Sequence, residues 1–381
     1  MRKIKKFAFV LALALVFASL TACDQMGGGT APAASDYPVI YLAPGAVQQT
    51  VGPFGEPIFP ADELYLTDEE IAQIRAGNYT AAIVFHYAGS DWSRLQQVGI
   101  EAKFAELGVE IVAVTNADFS AEVQVANIET VMALNPDVII SIPVDPVATA
   151  DAYRRAAEAG ISIVFMCNVP DGMVAGVHYV GAVSSDNYGS GVNAARMLAQ
   201  AIGGEGRIGH IFHDANFFVT NQRDEAFRNT IRDEFPDIEI VESAGFDDAA
   251  RAGEIADAML TRTPDLDGIF ATWDTAAEAV VSSAIAAGRP ELFITTVDLG
   301  DNVARMIAEK GNMVGLSAQR PFHQGQAQAI KAGMALVGRP APAYSVVPPL
   351  PVFFNNLIEA YEVVNNQSAP GWLIELHESN R

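Results

Sequence analysis

The sequence predicts an α/β fold of two Rossmann-like lobes, each built on a parallel β-sheet. From Thr80 onward, short β-branched or apolar runs alternate with amphipathic helical stretches, and this alternation is typical of right-handed βαβ units. Runs such as Val138–Ile140 are apolar without interruption, which indicates strands covered by helices on both faces. The candidate strands are too numerous for one ordinary doubly wound sheet, and their spacing resets near Val180–Ser185. An α/β barrel is the competing architecture, and this reset favours two lobes.

The candidate strands and helices follow one another along the chain in a regular order. Strands are predicted at Ala81–Phe85, Glu110–Val114, Val138–Ile142, Ile161–Met166, His178–Val180, Arg207–Phe212, Ile238–Glu242, Gly268–Ala271, Phe293–Val297 and Met313–Leu316. Helices are predicted at Leu95–Leu107, Ala121–Leu134, Ala148–Ala159, Tyr188–Ile202, Asp224–Glu234, Ala249–Arg262, Ala276–Ala287, Asn302–Glu309 and Gln324–Val337. Gly108, Gly160 and Asn135-Pro136 end three of these helices, as glycine and proline commonly do.

Residues 1–22 have the pattern of a secretory signal. Basic residues at Arg2–Lys6 precede an almost unbroken apolar run at Phe7–Leu20, which is too short for a comfortable membrane span. The following Leu20-Thr21-Ala22-Cys23 resembles the lipobox of bacterial lipoproteins. That resemblance implies lipidation of Cys23 and cleavage before it; the alternative is an ordinary signal peptide that ends near a cysteine. Residues 23–36 are rich in Gly, Ala and Pro and predict a flexible tether.

Residues 37–79 form an N-terminal extension that no pattern assigns to either lobe. Within it, Thr67-Asp68-Glu69-Glu70 has the spacing of a capping box. This motif predicts a short helix over Ile71 and Ile74 that ends at Gly77.

Composition and charge exclude several classes of function. The formal net charge is −23, the opposite of the basic surface that nucleic-acid binding requires. If Cys23 carries lipid, Cys167 has no partner for a disulfide within the chain. The chain has no P-loop, no dinucleotide fingerprint and no Cys/His zinc spacing. The sequence therefore predicts no cofactor and no metal.

The candidate ligand-binding residues follow the predicted strands. In open parallel sheets, ligands bind beyond the carboxyl ends of the strands, so polar and aromatic side chains at these ends are expected to meet. The candidates are Ser90, Asp91, Trp92, Asp145, Asn168, Arg223, Trp273, Asp298 and Gln319. Tryptophan faces pack against the C–H face of a sugar ring, while carboxylate, amide and guanidinium groups hydrogen-bond to hydroxyls. This set predicts a polyhydroxylated ligand.

Several candidates have a purely structural alternative. Trp92 could pack at a helix start, and Asp298 could cap the following helix. Asp145 precedes Pro146 and could only start a helix. Asp274 is expected to cap its own helix rather than bind ligand. Cys167 is expected to be a cleft-lining or buried thiol, because no base lies near it in sequence.

An ordered series of segments resembles the type I periplasmic sugar-binding proteins, of the ribose- and galactose-binding kind. The resemblance covers Thr80 to the C-terminus. It is carried by Asn135-Pro136-Asp137-Val138-Ile139-Ile140, Ala159–Val164, Tyr179-Val180-Gly181 with Ser185–Gly189, Arg223-Asp224-Glu225-Ala226-Phe227, Asp267–Asp274 and Thr296-Val297-Asp298. One departure is Cys167-Asn168, where many relatives carry an Asp-Arg pair that grips sugar hydroxyls. This departure leaves an alditol, a deoxysugar or another polyol as open as the common sugars.

The resemblance implies two lobes that are joined by three hinge crossings and close on the ligand. The expected N-terminal lobe is 80–183 plus 320–342, and the expected C-terminal lobe is 184–319 plus 343–381. Together with the lipobox-like segment, the resemblance implies an exported, lipid-anchored protein that binds a sugar or polyol and delivers it to an ABC permease. A monomer is the default expectation. The resemblance does not imply an enzyme.

Three alternative functions use the same cleft. A sensory lipoprotein would present the ligand to a receptor, and a nucleoside-binding lipoprotein would hold a base between Trp92 and Trp273. A secreted hydrolase would need a nucleophile–base pair or two carboxylates that face one cleft. Turnover of the bound ligand would distinguish the hydrolase from the binding proteins.

Overall fold

Two β-sheets organise residues 49–381, the part of the chain that the computed structural model describes. The first sheet has seven strands, in the spatial order β1 (Ile58–Pro60), β12 (Tyr344–Val347), β6 (Gly181–Ser185), β5 (Ser162–Met166), β4 (Val138–Ser141), β2 (Thr80–Phe85) and β3 (Glu110–Asn116). The second has six, in the order β13 (Leu350–Val352), β11 (Met313–Ala318), β10 (Phe293–Val297), β9 (Gly268–Ala271), β7 (Gly206–His213) and β8 (Ile238–Phe246). All pairs are parallel except β11 with β13. The predicted fold of two lobes with parallel sheets is confirmed.

Helices connect these strands and cover both sheets. They are α1 (Asp68–Gly77), α2 (Asp91–Leu107), α3 (Ala121–Met132), α4 (Ala150–Glu158), α5 (Asn187–Ala201), α6 (Phe218–Glu234), α7 (Ala252–Arg262), α8 (Asp274–Ala286), α9 (Asp301–Ala308), α10 (Pro321–Leu336), α11 (Leu357–Asn365) and α12 (Gly371–Ser379). In residues 49–381, no helix combines the length and the apolarity that a membrane span needs. The predicted signal, the tether of residues 23–36 and Cys23 lie outside the described residues.

Local sequence accounts for most helix ends and buried strands. The Thr67 hydroxyl accepts a hydrogen bond from the Glu70 amide, and the Glu70 carboxylate accepts one from the Thr67 amide, so the predicted capping box is present. Gly108 ends α2 in the left-handed conformation with φ 69°, which glycine adopts without steric cost. The apolar strand β4 is buried along its whole length.

The fifth strand of the first sheet lies later in the chain than predicted. His178–Val180 is not one of the strands, whereas β6 runs from Gly181 to Ser185 between β5 and β12. Ser184 and Ser185 are fully buried, and the Ser185 hydroxyl donates to the Val347 carbonyl. The assignment of residues 184 and 185 to the C-terminal lobe is therefore wrong. Small and hydroxylated side chains gave this strand no apolar pattern, although the sheet buries it.

The C-terminal part of the chain is divided between the lobes. Residues 343–381 were predicted to belong to the second lobe, but β12 pairs in parallel with β6 in the first sheet. Strand β13 then pairs antiparallel with β11 in the second sheet. The chain thus crosses between the sheets after Val347, and the predicted assignment is wrong for Tyr344–Val347. Pairing between residues more than 150 positions apart leaves no local signal in the sequence.

The N-terminal extension is part of the folded protein from Gln49 onward. Strand β1 adds to the first sheet beside β12, and Ile74 of α1 is fully buried in the core of the first lobe. The segment before β1 also contacts the second lobe. The Gln49 amide donates to the Asp186 carboxylate at 2.9 Å, and the Thr50 hydroxyl donates to Oε1 of Gln222 at 2.7 Å.

Loss of the Thr50 hydroxyl is expected to destabilise the protein. Both Thr50 and Gln222 are buried, so Thr50→Ala leaves Oε1 of Gln222 without this partner, at a cost of roughly 1–3 kcal/mol. The free energy of unfolding from urea titrations would measure this loss. Thr50→Ser keeps the hydroxyl and should stay close to the wild type. Equal stability of all three proteins would show that the segment is not docked.

Candidate functional site

A cavity of about 620 Å³ lies between the lobes at the carboxyl ends of the strands. Residues at the ends of strands β2, β4 and β5 line it from the first lobe, namely His86, Ile142 and Cys167. Residues at the ends of β7, β9, β10 and β11 line it from the second sheet, namely His213, Trp273, Asp298 and Gln319. This is the edge at which open parallel sheets bind ligands.

Asp298 lies at the centre of a charged corner that also contains Arg223 and Gln319. Arg223 Nη1 lies 3.5 Å from one carboxylate oxygen of Asp298, and Nε2 of Gln319 donates to the other at 2.9 Å. All three side chains are buried. Burial raises the pKa of Asp298, whereas the guanidinium of Arg223 and the Gln319 amide oppose that rise.

Neighbouring backbone and side chains hold the charged corner in place. Asp298 follows β10 directly with φ 77°, a conformation that aspartate tolerates better than most residues. Arg223 donates from Nε to Asn187 at 3.2 Å and from Nη1 to the Thr272 carbonyl at 3.2 Å. Gln319 accepts a hydrogen bond from Gln324 of α10 at 3.0 Å. These contacts fix the side chains of the charged corner in place without a ligand, which lowers the entropic cost of binding.

Asp274 also lines the cavity, although the sequence favoured a capping role over ligand binding. It is the first residue of α8 and accepts a hydrogen bond from the Thr275 amide at 2.7 Å. Burial, together with the nearby charge of Asp298, raises its pKa to about 8. At neutral pH its carboxyl group is therefore largely protonated and can donate a hydrogen bond to a ligand oxygen.

Stability should fall with rising pH because of Asp274. Its pKa in the folded state, about 8, exceeds the ordinary value, so above pH 4 the folded state keeps a proton that the unfolded state releases. This loss amounts to on the order of 2 kcal/mol between pH 5.5 and 7. In urea titrations at several pH values, the free energy of unfolding of Asp274→Asn should fall less with rising pH than that of the wild type. Asp151→Asn, at an exposed position, should show the same pH dependence as the wild type. Parallel curves for wild type and Asp274→Asn would contradict the prediction.

Aromatic rings form a continuous wall along the rest of the cavity. We define the aromatic wall as Tyr87, Phe119, His86, Trp92, Phe217, His213 and Trp273. Successive ring centroids lie 5.0 to 5.9 Å apart, from Tyr87 on Phe119, through His86 and Phe217, to His213 and Trp273. These separations are those of favourable aromatic pairs. Burial and the neighbouring His213 lower the pKa of His86 to about 3, and burial lowers that of His213.

The wall crosses from one lobe to the other through Phe217. This residue precedes α6 of the second lobe, yet it packs in the same hydrophobic cluster as Phe85 and Met166 of the first sheet. Val219, two residues further along, joins the same cluster. This contact was not predicted, although Phe217-Phe218-Val219 is an apolar run between a predicted strand and a predicted helix.

The structure brings together six of the nine predicted site residues. These six line the cavity: Ser90, Trp92, Arg223, Trp273, Asp298 and Gln319. Ser90 also caps α2 by accepting a hydrogen bond from the Ser93 amide. The wall residues His86, Phe119 and Phe217 were not predicted, because single aromatic residues at strand and loop ends do not stand out from core residues in a sequence.

Three predicted site residues do not line the cavity. Asp91 pairs with Arg94 at 3.0 Å and accepts a hydrogen bond from the Asp301 amide of the other lobe at 3.2 Å. Asp145 accepts hydrogen bonds from the amides of residues 147 and 148 at 2.8 and 2.7 Å, so it stabilises the turn that leads into α4, whose N-cap is Thr149. Asn168 is buried beside Cys167, and within residues 49–381 its Oδ1 has no hydrogen-bond partner.

Among the described residues of the cavity, the Cys167 thiol is not activated and there is no cluster of metal ligands. Burial raises the pKa of the Cys167 thiol to about 11, so at neutral pH the thiol is protonated and a poor nucleophile. Among the described residues, no group of three His, Cys, Asp or Glu side chains is arranged to hold a metal ion. The arrangement is suited to hydrogen bonding and stacking.

A family model described as a periplasmic binding protein domain matches residues 81–340. The chain belongs to this family. Membership confirms the resemblance seen in the sequence, and it confirms a ligand-binding protein rather than an enzyme. It also indicates an exported protein, as the sequence predicted.

Named relatives of this periplasmic binding protein agree with the family match. The D-allose-binding periplasmic protein of Escherichia coli is 26% identical over 265 residues, which cover 65% of this chain and 84% of the relative. A solute-binding protein of Agrobacterium vitis bound with α-D-tagatopyranose superposes with a TM-score of 0.71 at 24% identity, covering 77% of this chain and all of that one. A solute-binding protein of Actinobacillus succinogenes with bound D-allose superposes with a TM-score of 0.67 at 26% identity, covering 73% of this chain and 99% of that one.

Proposed function

We propose that the protein binds a sugar or polyol in the cavity between its lobes and delivers it to an ABC permease. The observation that carries this proposal is the buried corner of Arg223, Asp298 and Gln319 beside two tryptophans, Trp92 and Trp273. Ligand contacts with both lobes would favour a closed arrangement over an open one. The closed protein would then be the form that the permease receives.

The chemistry of the corner suits adjacent hydroxyl groups. Arg223 supplies donors, the Asp298 carboxylate accepts, and protonated Asp274 can do either. A hydrogen bond to a charged group contributes roughly 1.5–3 kcal/mol, so two or three such bonds would discriminate between epimers. Three of the relatives support the same ligand class, because one is a D-allose-binding protein, one has bound D-allose and one has a bound tagatose.

We also propose that the protein works as a lipid-anchored monomer on the outer face of the cell membrane. This part of the proposal depends on the signal and lipobox-like segment that ends at Cys23. Metabolic labelling with a radioactive fatty acid should mark the wild type and not Cys23→Ser. Labelling of both proteins would argue against the anchor.

A thermal-shift screen of the purified protein tests the ligand class. Pentoses, hexoses, alditols and nucleosides would each be added, and a ligand at about a hundredfold its Kd should stabilise the protein by roughly 2.7 kcal/mol. We expect a shift with at least one sugar or polyol and recovery of that compound unchanged. Chemical turnover of the compound would instead favour the hydrolase alternative, and a screen without any shift would contradict the proposed ligand class.

A further inference from the structure

We infer that the natural ligand is a sugar that carries a flat aromatic ring as a substituent. This inference rests on the proposed function and narrows it. The sugar would lie in the charged corner of Arg223, Asp298 and Gln319, and the ring would lie against the aromatic wall. Four observations carry the inference: the distribution of charge, the size of the cavity, the neutrality of the wall and two buried polar atoms.

Charged side chains line the cavity almost entirely from the second lobe. Arg223, Asp274 and Asp298 lie there, together with the carboxylates of residues 247 and 248. The first lobe contributes Asp118 as its one carboxylate among the described lining residues. Asp118 is exposed, as are Asp247 and Asp248 of the second lobe, so the buried charges all belong to the second lobe. The strand ends of the first sheet contribute imidazole, alkyl and thiol groups instead. A ligand that makes favourable contacts with both lobes therefore needs one hydroxylated end and one apolar end.

The cavity exceeds what the charged corner alone would use. Its volume of about 620 Å³ falls within the roughly 300–1,000 Å³ of pockets that enclose drug-sized ligands. A free monosaccharide seated in the corner beside Trp92 and Trp273 would leave the far end of the aromatic wall, Phe119 and Tyr87, in contact with water. Since apolar surface that stays wet contributes nothing to affinity, a ring that fills this space binds more tightly.

The aromatic wall carries no charge at neutral pH. His86 is 8% exposed, and its burial keeps the imidazole neutral, as the pKa of about 3 indicates. The other members are phenylalanine, tyrosine, tryptophan and His213, whose pKa burial also lowers. Neutral rings at these separations can stack with a further flat aromatic group.

Two polar atoms of the wall point to a heteroatom on the ring or its linkage. Within residues 49–381, neither Nδ1 of His86 nor Nε1 of Trp92 has a hydrogen-bond partner, although both atoms are buried. Buried polar groups are nearly always hydrogen-bonded. A glycosidic or ring heteroatom beside these two atoms would supply the missing acceptor for the Trp92 indole N–H.

Matched glycosides test the inference by calorimetry on the full-length protein. For each sugar that binds, the free sugar, its methyl glycoside and its phenyl glycoside would be compared, with nucleosides as a further arm. We expect the phenyl glycoside or the nucleoside to bind at least tenfold more tightly than the methyl glycoside. Preference for nucleosides would identify the ring as a base, and preference for phenyl glycosides would identify it as an aryl group.

Wall variants separate stacking from a general effect on the fold. Phe119→Ala removes an exposed member of the wall and should reduce the ratio of phenyl-glycoside to free-sugar affinity severalfold. Trp92→Phe keeps a ring but removes the indole N–H, and it should reduce the same ratio. Val123→Ala, at an exposed position on α3, should leave the ratio unchanged.

Two results would overturn the inference in distinguishable ways. Tight binding of a free sugar with no gain from any ring would refute the inference and leave the proposed function intact. Absence of binding by sugars, glycosides and nucleosides alike would refute both.

Discussion

Asp298→Asn is expected to weaken sugar binding roughly ten- to a hundredfold. Asp298 is the shared acceptor of Arg223 and Gln319 in the charged corner. The substitution removes a charged hydrogen-bond acceptor for the ligand, worth roughly 1.5–3 kcal/mol. It also leaves Arg223 buried without its counter-charge, a change that costs roughly 3–5 kcal/mol when a buried pair is broken. Calorimetric titration with the sugar found in the screen would measure the loss of affinity.

A double variant separates the role of Asp298 in binding from its role in stability. Asp298→Asn combined with Arg223→Met removes both charges, so its free energy of unfolding should recover relative to Asp298→Asn alone. Its sugar affinity should not recover, because neither hydrogen-bonding group remains. Wild-type affinity in Asp298→Asn would show that the ligand lies elsewhere in the cavity.

The second large effect concerns Lys331, a buried lysine on α10 in the first lobe. It is 0% exposed, and its Nζ donates to the carbonyls of Ala182 at 2.9 Å and Pro342 at 2.5 Å. Burial lowers its pKa to about 7. Between pH 7 and about 10, the unfolded state therefore binds a proton that the folded state lacks, so stability rises with pH.

This rise should amount to roughly 4 kcal/mol between pH 7 and 10. Lys331→Met has no proton to lose, and its free energy of unfolding should lack this increase. Urea titrations at intervals of one pH unit would measure both curves. Lys103→Met, at a surface lysine that pairs with Glu106, should follow the wild type. If the curves of wild type and Lys331→Met stay parallel, Lys331 keeps its ordinary pKa in the folded protein.

Individual strands show which parts of the fold could be predicted from the sequence. The apolar run at Val138–Ile140 was recognised as a buried strand, because strands covered on both faces lack polar alternation. Strand β6 was misplaced, since Gly181–Ser185 combines small and hydroxylated residues that carry no apolar signal. Its burial follows from its position between β5 and β12, and a sequence pattern does not encode position within a sheet.

Some residues of the candidate site could likewise be predicted from the sequence, and others could not. Trp273, Asp298 and Gln319 could be predicted because each follows a recognisable strand, and strand ends meet at one edge of a parallel sheet. Asp145 also follows a strand, but its carboxylate accepts from the two amides that follow Pro146. A turn-forming aspartate and a ligand-binding aspartate have the same local sequence, so only the tertiary structure distinguishes them.

The sequence by itself determined the α/β class, the order of most strands and helices, and the edge at which the cavity lies. Those properties depend on periodicity and capping within short segments, and each segment carries its own signal. The tertiary structure alone decided that β1 and β12 join the first sheet, that Phe217 packs across the lobes, and that His86, Asp274 and Lys331 have shifted pKa values. These properties arise from residues far apart in the chain, because strand pairing and desolvation depend on what the folded chain places around each group.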